Sequence, residues 1–176
     1  MHLTPLHTPR IAPGEDLVSV LKKAHKEGFH PKDILVVSSK AVATSEGRII
    51  DLAALTVSDE AKTYAEKYNR SPNFCQAVLD EVTFRNGKVV GTCPGALLTE
   101  LKPKGLEGTI LTANAGLDES NAPEGSAIGW PEDPVGSVRK LHKAMSCELP
   151  AGSKLTAHSS PLIAVILSDS CCRPRR

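Results

Sequence analysis

Thr112-Ala113-Asn114-Ala115-Gly116-Leu117-Asp118-Glu119-Ser120-Asn121 follows directly on the apolar pair Ile110-Leu111. The change from apolar to small and polar residues marks the end of a strand. It brings an amide, a glycine, a carboxylate, a hydroxyl and a second amide to the rim of a sheet, where α/β folds place ligands. A second strand of this kind, Leu162 to Leu167, ends in Ser168-Asp169-Ser170. Carboxylates at the ends of such strands suit a shared divalent metal with phosphate as co-ligand, because Mg2+ and Mn2+ take oxygen donors.

Working outward, Asp33 to Lys40 reads as a buried strand running into a polar turn, followed by Ala41 to Arg48. Gly14 to Gly28 reads as a helix, with Leu17, Val20, Leu21 and Ala24 at helical spacing, acids at its start and lysines near its end. Ser58 is placed to cap a helix through Tyr68, and Ser71-Pro72 is a cap and first-turn pair for another. Arg85-Asn86-Gly87 between Val82-Thr83-Phe84 and Lys88-Val89-Val90 is a hairpin signal. Ala96 to Thr99 and Thr109 to Thr112 read as strands, Ala122 to Pro134 as a loop, and the stretch carrying Val138, Leu141 and Met145 as a helix. Strands and helices interleave without a clean βαβ repeat, so the expected class is mixed α/β (α+β), with residues 1–176 forming a single domain.

The bulk composition fits that class. The 176 residues are 40% hydrophobic and 23% charged, enough for a packed core. Aromatics make up only 3%, so the core must be aliphatic. A net charge of +1 gives no reason to expect nucleic acid or an anionic membrane as partner. No apolar run approaches the ~20 residues that span a bilayer. Met1-His2-Leu3-Thr4-Pro5 lacks the layout of a secretion signal, so the cytoplasm is the expected compartment. The five cysteines form no CxxC pair, which argues against a disulfide framework and a structural zinc site.

Each candidate site has a plainer reading beside it. Asp118 with Asn121 suits a metal and a nucleotide, but an Asx-turn after a strand uses the same residues. Asp169-Ser170 suits a metal-phosphate arrangement, but also a fraying tail. Ser39-Lys40 offers a point charge to a phosphate, without the glycine pattern of a P-loop or of a dinucleotide fold. Asp133 or Ser137 can cap the helix that follows. The six histidines are scattered, which favours surface or packing roles.

Taken in order, these stretches resemble the coenzyme F420-0:L-glutamate (γ-glutamyl) ligase family. Pro13-Gly14-Glu15-Asp16-Leu17, Asp33 to Lys40, Ser45-Glu46-Gly47-Arg48, Gln76 to Glu81, Asn114 to Asn121, Pro131-Glu132-Asp133-Pro134 with Ser137, and Ser168-Asp169-Ser170 with Arg173-Pro174 and Arg176 are each similar to a family stretch. Only the Asn-Ala-Gly element is specific alone; the others gain force from their order. The resemblance implies the family's uncommon mixed α/β fold, shortened at the C-terminus, and a homodimer. It implies GTP-dependent addition of L-glutamate to F420-0 through an acyl phosphate, with Mg2+ or Mn2+. By position, Asp118, Asp169 and Ser170 would be metal ligands. Leu6, His7, Thr8, Pro9, Ser39, Lys40 and Asn121 would contact the nucleotide. No catalytic residue is assigned.

The chain departs from the family pattern at four of these places. Thr44 stands where the family has a second lysine, and His7 where it has a glycine in the nucleotide loop. Cys172 and Arg175 replace a glycine and a tryptophan. Other readings are an amide ligase acting on another carboxylic acid, or a nucleotide- or F420-binding module that does not catalyse.

Overall fold

A computed structural model describes residues 2–26, 28–29, 33–146 and 164–169. The fold is mixed α/β. Helix α1 (Leu17–Ala24) begins at Asp16, whose carboxylate accepts from the Val18 N–H, and buries Leu17, Val20 and Leu21. Strand β1 (Ile34–Ser38) runs straight into α2 (Ser39–Ser45), with the Ser38 hydroxyl capping that helix by accepting from the Lys40 N–H. The polar turn expected at Ser38-Ser39-Lys40 is therefore the first turn of a helix.

After β2 (Ile49–Asp51) come α3 (Asp59–Tyr68) and α4 (Pro72–Phe84), capped as expected by Ser58 and Ser71. The hairpin expected at Arg85-Asn86-Gly87 is absent. Helix α4 continues through Phe84, and Asn86 in the left-handed region (φ 48°) ends it, with the Gly87 N–H donating to the Val82 carbonyl. Asn-Gly serves a helix stop as well as a hairpin turn, which explains the misreading. Gly87 is also required by contact, since a Cβ there would lie 2.3 Å from the Glu100 carbonyl oxygen.

Strands β3 (Lys88–Cys93), β4 (Ala96–Leu101) and β5 (Ile110–Ala113) form an antiparallel sheet in that order. Strand β6 (Ser126–Ile128) pairs antiparallel with β2, inside the segment read as a loop. Three residues are too few to show a period. Helix α5 (Pro134–Ser146) is capped by Asp133, which accepts from the Gly136 N–H at 2.8 Å, and buries Leu141 and Met145. Strand β7 (Ala164–Ser168) pairs parallel with β1, Ile34 opposite Ala164 and Ser38 opposite Ser168. Leu162 and Ile163 of the expected strand lie outside the described residues.

The core lies in two main clusters. One joins Leu17, Leu21, Leu35, Val37, Val42, Leu141 and Met145 between α1, β1, α2 and α5. The larger joins Phe74, Val78 and Val82 of α4 to Leu97, Leu101, Ala115, Leu117 and Trp130. Strand β1 was expected to be buried, but only Leu35 and Val37 are. Ile34 and Val36 are 60% and 58% exposed on the opposite face, because the described helices cover one side only. Cys75 and Cys93 are free thiols, and Cys147, Cys171 and Cys172 lie outside the described residues. Among the described residues no helix is long and apolar enough to cross a membrane.

Candidate functional site

Parallel pairing in register carries Ser38-Ser39-Lys40 and Ser168-Asp169 to the same end of the β1–β7 sheet. That is the carboxyl end of parallel strands, where this class of sheet opens a crevice. The Asn114–Gly116 turn after β5 reaches the same place. A cavity of about 700 Å3 is lined there by Ser38, Lys40, Asn114, Asp118, Asn121 and Asp169, among others.

The turn that presents Asp118 is strained. Asn114 (φ 51°), Ala115 (φ 53°) and Gly116 (φ 75°) all lie in the left-handed region, and Ala115 is fully buried. A non-glycine residue in that region costs on the order of 1–3 kcal/mol and persists only where its surroundings fix it. Here the Leu97 N–H donates to Asn114 Oδ1 at 2.9 Å, and the Ala115 N–H donates to Thr99 Oγ1 at 3.1 Å. Asp118 itself exchanges both backbone hydrogen bonds with Ile128.

The Asp118 carboxylate is satisfied locally. Oδ1 accepts from the Ser120 N–H at 2.8 Å and the Ser120 hydroxyl at 2.6 Å, and Oδ2 from Asn121 Nδ2 at 3.2 Å. This is the Asx-turn arrangement, and it also aims the carboxylate at the cavity. Partial burial pushes the Asp118 pKa up. The Ser120 and Asn121 hydrogen bonds and the Lys40 charge outweigh it, so the carboxyl sits below its ordinary value.

Asp169 is held from a distance. Lys40 Nζ lies 3.3 Å from each of its carboxylate oxygens and donates to the Gly116 carbonyl at 2.9 Å. Oδ2 also accepts from the indole Nε1 of Trp130. The Trp130 ring occupies the space over Gly116: a Cβ at Gly116 would lie 2.6 Å from the indole.

The other expected contacts divide. Asn121 and Lys40 also line a second cavity of about 690 Å3, with Arg10, Thr44, Ile49 and Ile128 among its other lining residues. Leu6 and Thr8 line a different cavity along β1, which shares Val36 and Ser38 with the first. His7 and Pro9 are exposed on the same strap and line none of these cavities. Ser39 faces an apolar cavity of about 530 Å3 beyond Trp130, and its buried hydroxyl has no hydrogen-bond partner among the described residues. Ser170 lies outside the described residues.

The polar side chains facing the first cavity are carboxylates, amides, hydroxyls and the Lys40 ammonium, and among the described residues no histidine or cysteine lines it. Among the described residues no group of three or more His, Cys, Asp or Glu is placed to hold a metal. Asp118 and Asp169 supply carboxylate oxygens, the donor type through which a Mg2+-type ion is held while phosphates and water complete its shell.

The sequence reading did not single out Trp130, Glu81 or Arg85. Glu81 bridges Arg85 Nε at 2.5 Å and Arg48 Nη2 at 2.8 Å, with Glu81 and Arg85 both buried. A Glu and an Arg four apart on the apolar face of α4 signal a buried ion pair, and a lone tryptophan in a chain this poor in aromatics signals a special place.

The model of the F420-0:Gamma-glutamyl ligase family matches residues 5–176. The chain is 33% identical, over 95% of its length, to the Coenzyme F420:L-glutamate ligase of Methanopyrus kandleri, of which the match covers 58%. To the proteins of the same name from Methanothermobacter thermautotrophicus and Natronomonas pharaonis it is 30% and 31% identical over 96% of its length, covering 60% and 58% of theirs. The chain thus spans less than two thirds of the length of these curated relatives.

Proposed function

The chain belongs to the F420-0:Gamma-glutamyl ligase family, and on that premise we propose that its polar cleft binds a divalent cation and the phosphates of GTP to add L-glutamate to coenzyme F420-0. The observation that carries the reading is the convergence of Asp118, Asn121, Lys40 and Asp169 on one cavity from segments far apart in the chain. A divalent cation held there would supply charge for a moving phosphoryl group. Asp118 and Asp169 are its carboxylates in this reading. Lys40, which neutralises Asp169 in the structure, is the point charge within reach of an entering phosphate. Asn121, which lines both polar cavities, is the contact between phosphate and nucleoside in this reading.

The acid substrate must bring its terminal carboxylate to the γ-phosphate, where phosphoryl transfer gives the acyl phosphate. Attack by the amine of glutamate then forms the amide and releases phosphate. The apolar cavity beyond Trp130 reaches the same Asp169 and suits an apolar part of such an acid. A homodimer that covers the exposed face of Ile34, Val36 and Ile166 completes the reading, and light scattering at the monomer mass would refute that part.

The test is mass spectrometry of F420-0 incubated with this chain, GTP, L-glutamate and Mn2+. A product heavier by one glutamyl residue is expected, with GDP formed in step. Thr44, which brings no charge to the cavity it lines, favours a second reading, a binding module without catalysis. Metal-dependent GTP binding without product would select that one.

A further inference from the structure

We propose that Trp130 is a positioning residue for Asp169, with the buried Arg48–Glu81–Arg85 cluster fixing Trp130 in turn. The inference rests on the reading of Asp169 as a metal ligand. A carboxylate at the end of a strand rotates about its side-chain torsions unless something holds it. The Asp169 carboxylate is gripped by the Lys40 ammonium and the Trp130 indole. Lys40 is a mobile point charge on a long stem. The indole is rigid and carries a single donor, so it sets direction as well as distance.

The rigidity of Trp130 is built from below. Its carbonyl accepts from Arg48 Nε and Arg85 Nη2, both at 3.3 Å, and the next carbonyl, of Pro131, accepts from Arg85 Nη2 at 3.0 Å. Glu81 holds both guanidinium groups, at 2.5 and 2.8 Å. From above, the ring rests on Gly116, where a side chain is excluded. The Gly116 carbonyl also accepts from Lys40, so the indole and the ammonium that grip Asp169 are tied to one residue. Such outer hydrogen bonds orient metal ligands, and losing one typically lowers metal affinity about 10- to 100-fold. A buried ionic cluster costs desolvation, and here its hydrogen bonds end on the Trp130 and Pro131 carbonyls.

Trp130 is the single tryptophan of the chain, so it reports on itself. The full chain is titrated with Mn2+, following free Mn2+ by electron paramagnetic resonance and Trp130 emission by fluorescence. Saturable quenching of the indole at the same midpoint as Mn2+ uptake is expected, with both lost in Asp169→Asn. Trp130→Phe, which keeps a ring over Gly116 but removes the N–H, is expected to weaken Mn2+ binding about 10- to 100-fold with an unchanged far-UV spectrum. Wild-type affinity in folded Trp130→Phe, or Mn2+ saturation without quenching in the wild type, overturns the proposal. If Trp130→Phe does not fold, the wild-type quenching decides alone. Asp118→Asn separates the two readings. Undiminished Mn2+ binding in that variant defeats the metal-site reading itself, whereas its loss beside an unaffected Trp130→Phe defeats only the role of Trp130.

Discussion

The two carboxylates that face the cleft differ in where their described partners come from. Asp118 is fixed by its own neighbours, with Ser120 and Asn121 closing on it two and three residues along. Asp169 is fixed by Lys40 and Trp130, which lie 129 and 39 residues away in sequence. The first is a local turn that orders once β5 and its bridge to Ile128 are in place. The second exists only after β7 has paired with β1 and the α4 ion cluster has closed under Trp130. Damage near Asp118 should therefore stay local, whereas damage as far away as α4 should reach Asp169.

The largest expected effect breaks the distant anchorage. Glu81→Gln leaves two guanidinium groups facing each other in a buried site, which should cost about 3–5 kcal/mol in urea unfolding. Gly116→Ala combines a left-handed backbone with a Cβ driven into the indole. It should lose about 1–3 kcal/mol, and any loss of Mn2+ affinity should resemble that of Trp130→Phe. Ser120→Ala removes a hydroxyl from Asp118 and should cost only about 0.5–1 kcal/mol, leaving Trp130 emission unchanged.

The Asp118 contribution also carries a pH signature. Its native pKa lies below the unfolded value of about 3.9, so folding favours the charged form. That stabilisation is complete above the unfolded pKa and fades as the pH falls through the lower native value. Asp118→Asn should flatten this acid limb, and Ser120→Ala should move it to higher pH, both visible in the unfolding midpoint between pH 5 and 2. The smallest effect belongs to the exposed pair Lys62–Asp59. Lys62→Ala should change stability by less than about 0.5 kcal/mol and leave both carboxylates as they are.

The same contrast explains what was legible in the sequence. The Asn114 to Asn121 stretch announces its turn because the side-chain hydrogen bonds described for Asp118 all come from Ser120 and Asn121. The caps at Ser58 and Ser71 were readable for the same reason, and Asp133 was one of two candidates with Ser137, whereas Asp16, read as an acid within the helix, is its cap. Short-range chemistry misled where one signal serves two structures, as at Asn86-Gly87, or where a strand is three residues long, as in β6. The partners of Asp169 were not legible. That Lys40 and Trp130 reach it depends on the parallel register of β1 with β7 and on where β6 delivers the chain. Lys40 was read as a nucleotide contact and Asp169 as a metal ligand, and their ion pair emerges from the fold.

The most direct test of the cleft as a metal–nucleotide site is calorimetric titration of GTP into the full chain with and without Mn2+, repeated with Asp118→Asn. The account predicts saturable binding that requires the metal and is lost in the variant. Equal binding of GTP without metal, or undiminished binding in Asp118→Asn, would contradict it.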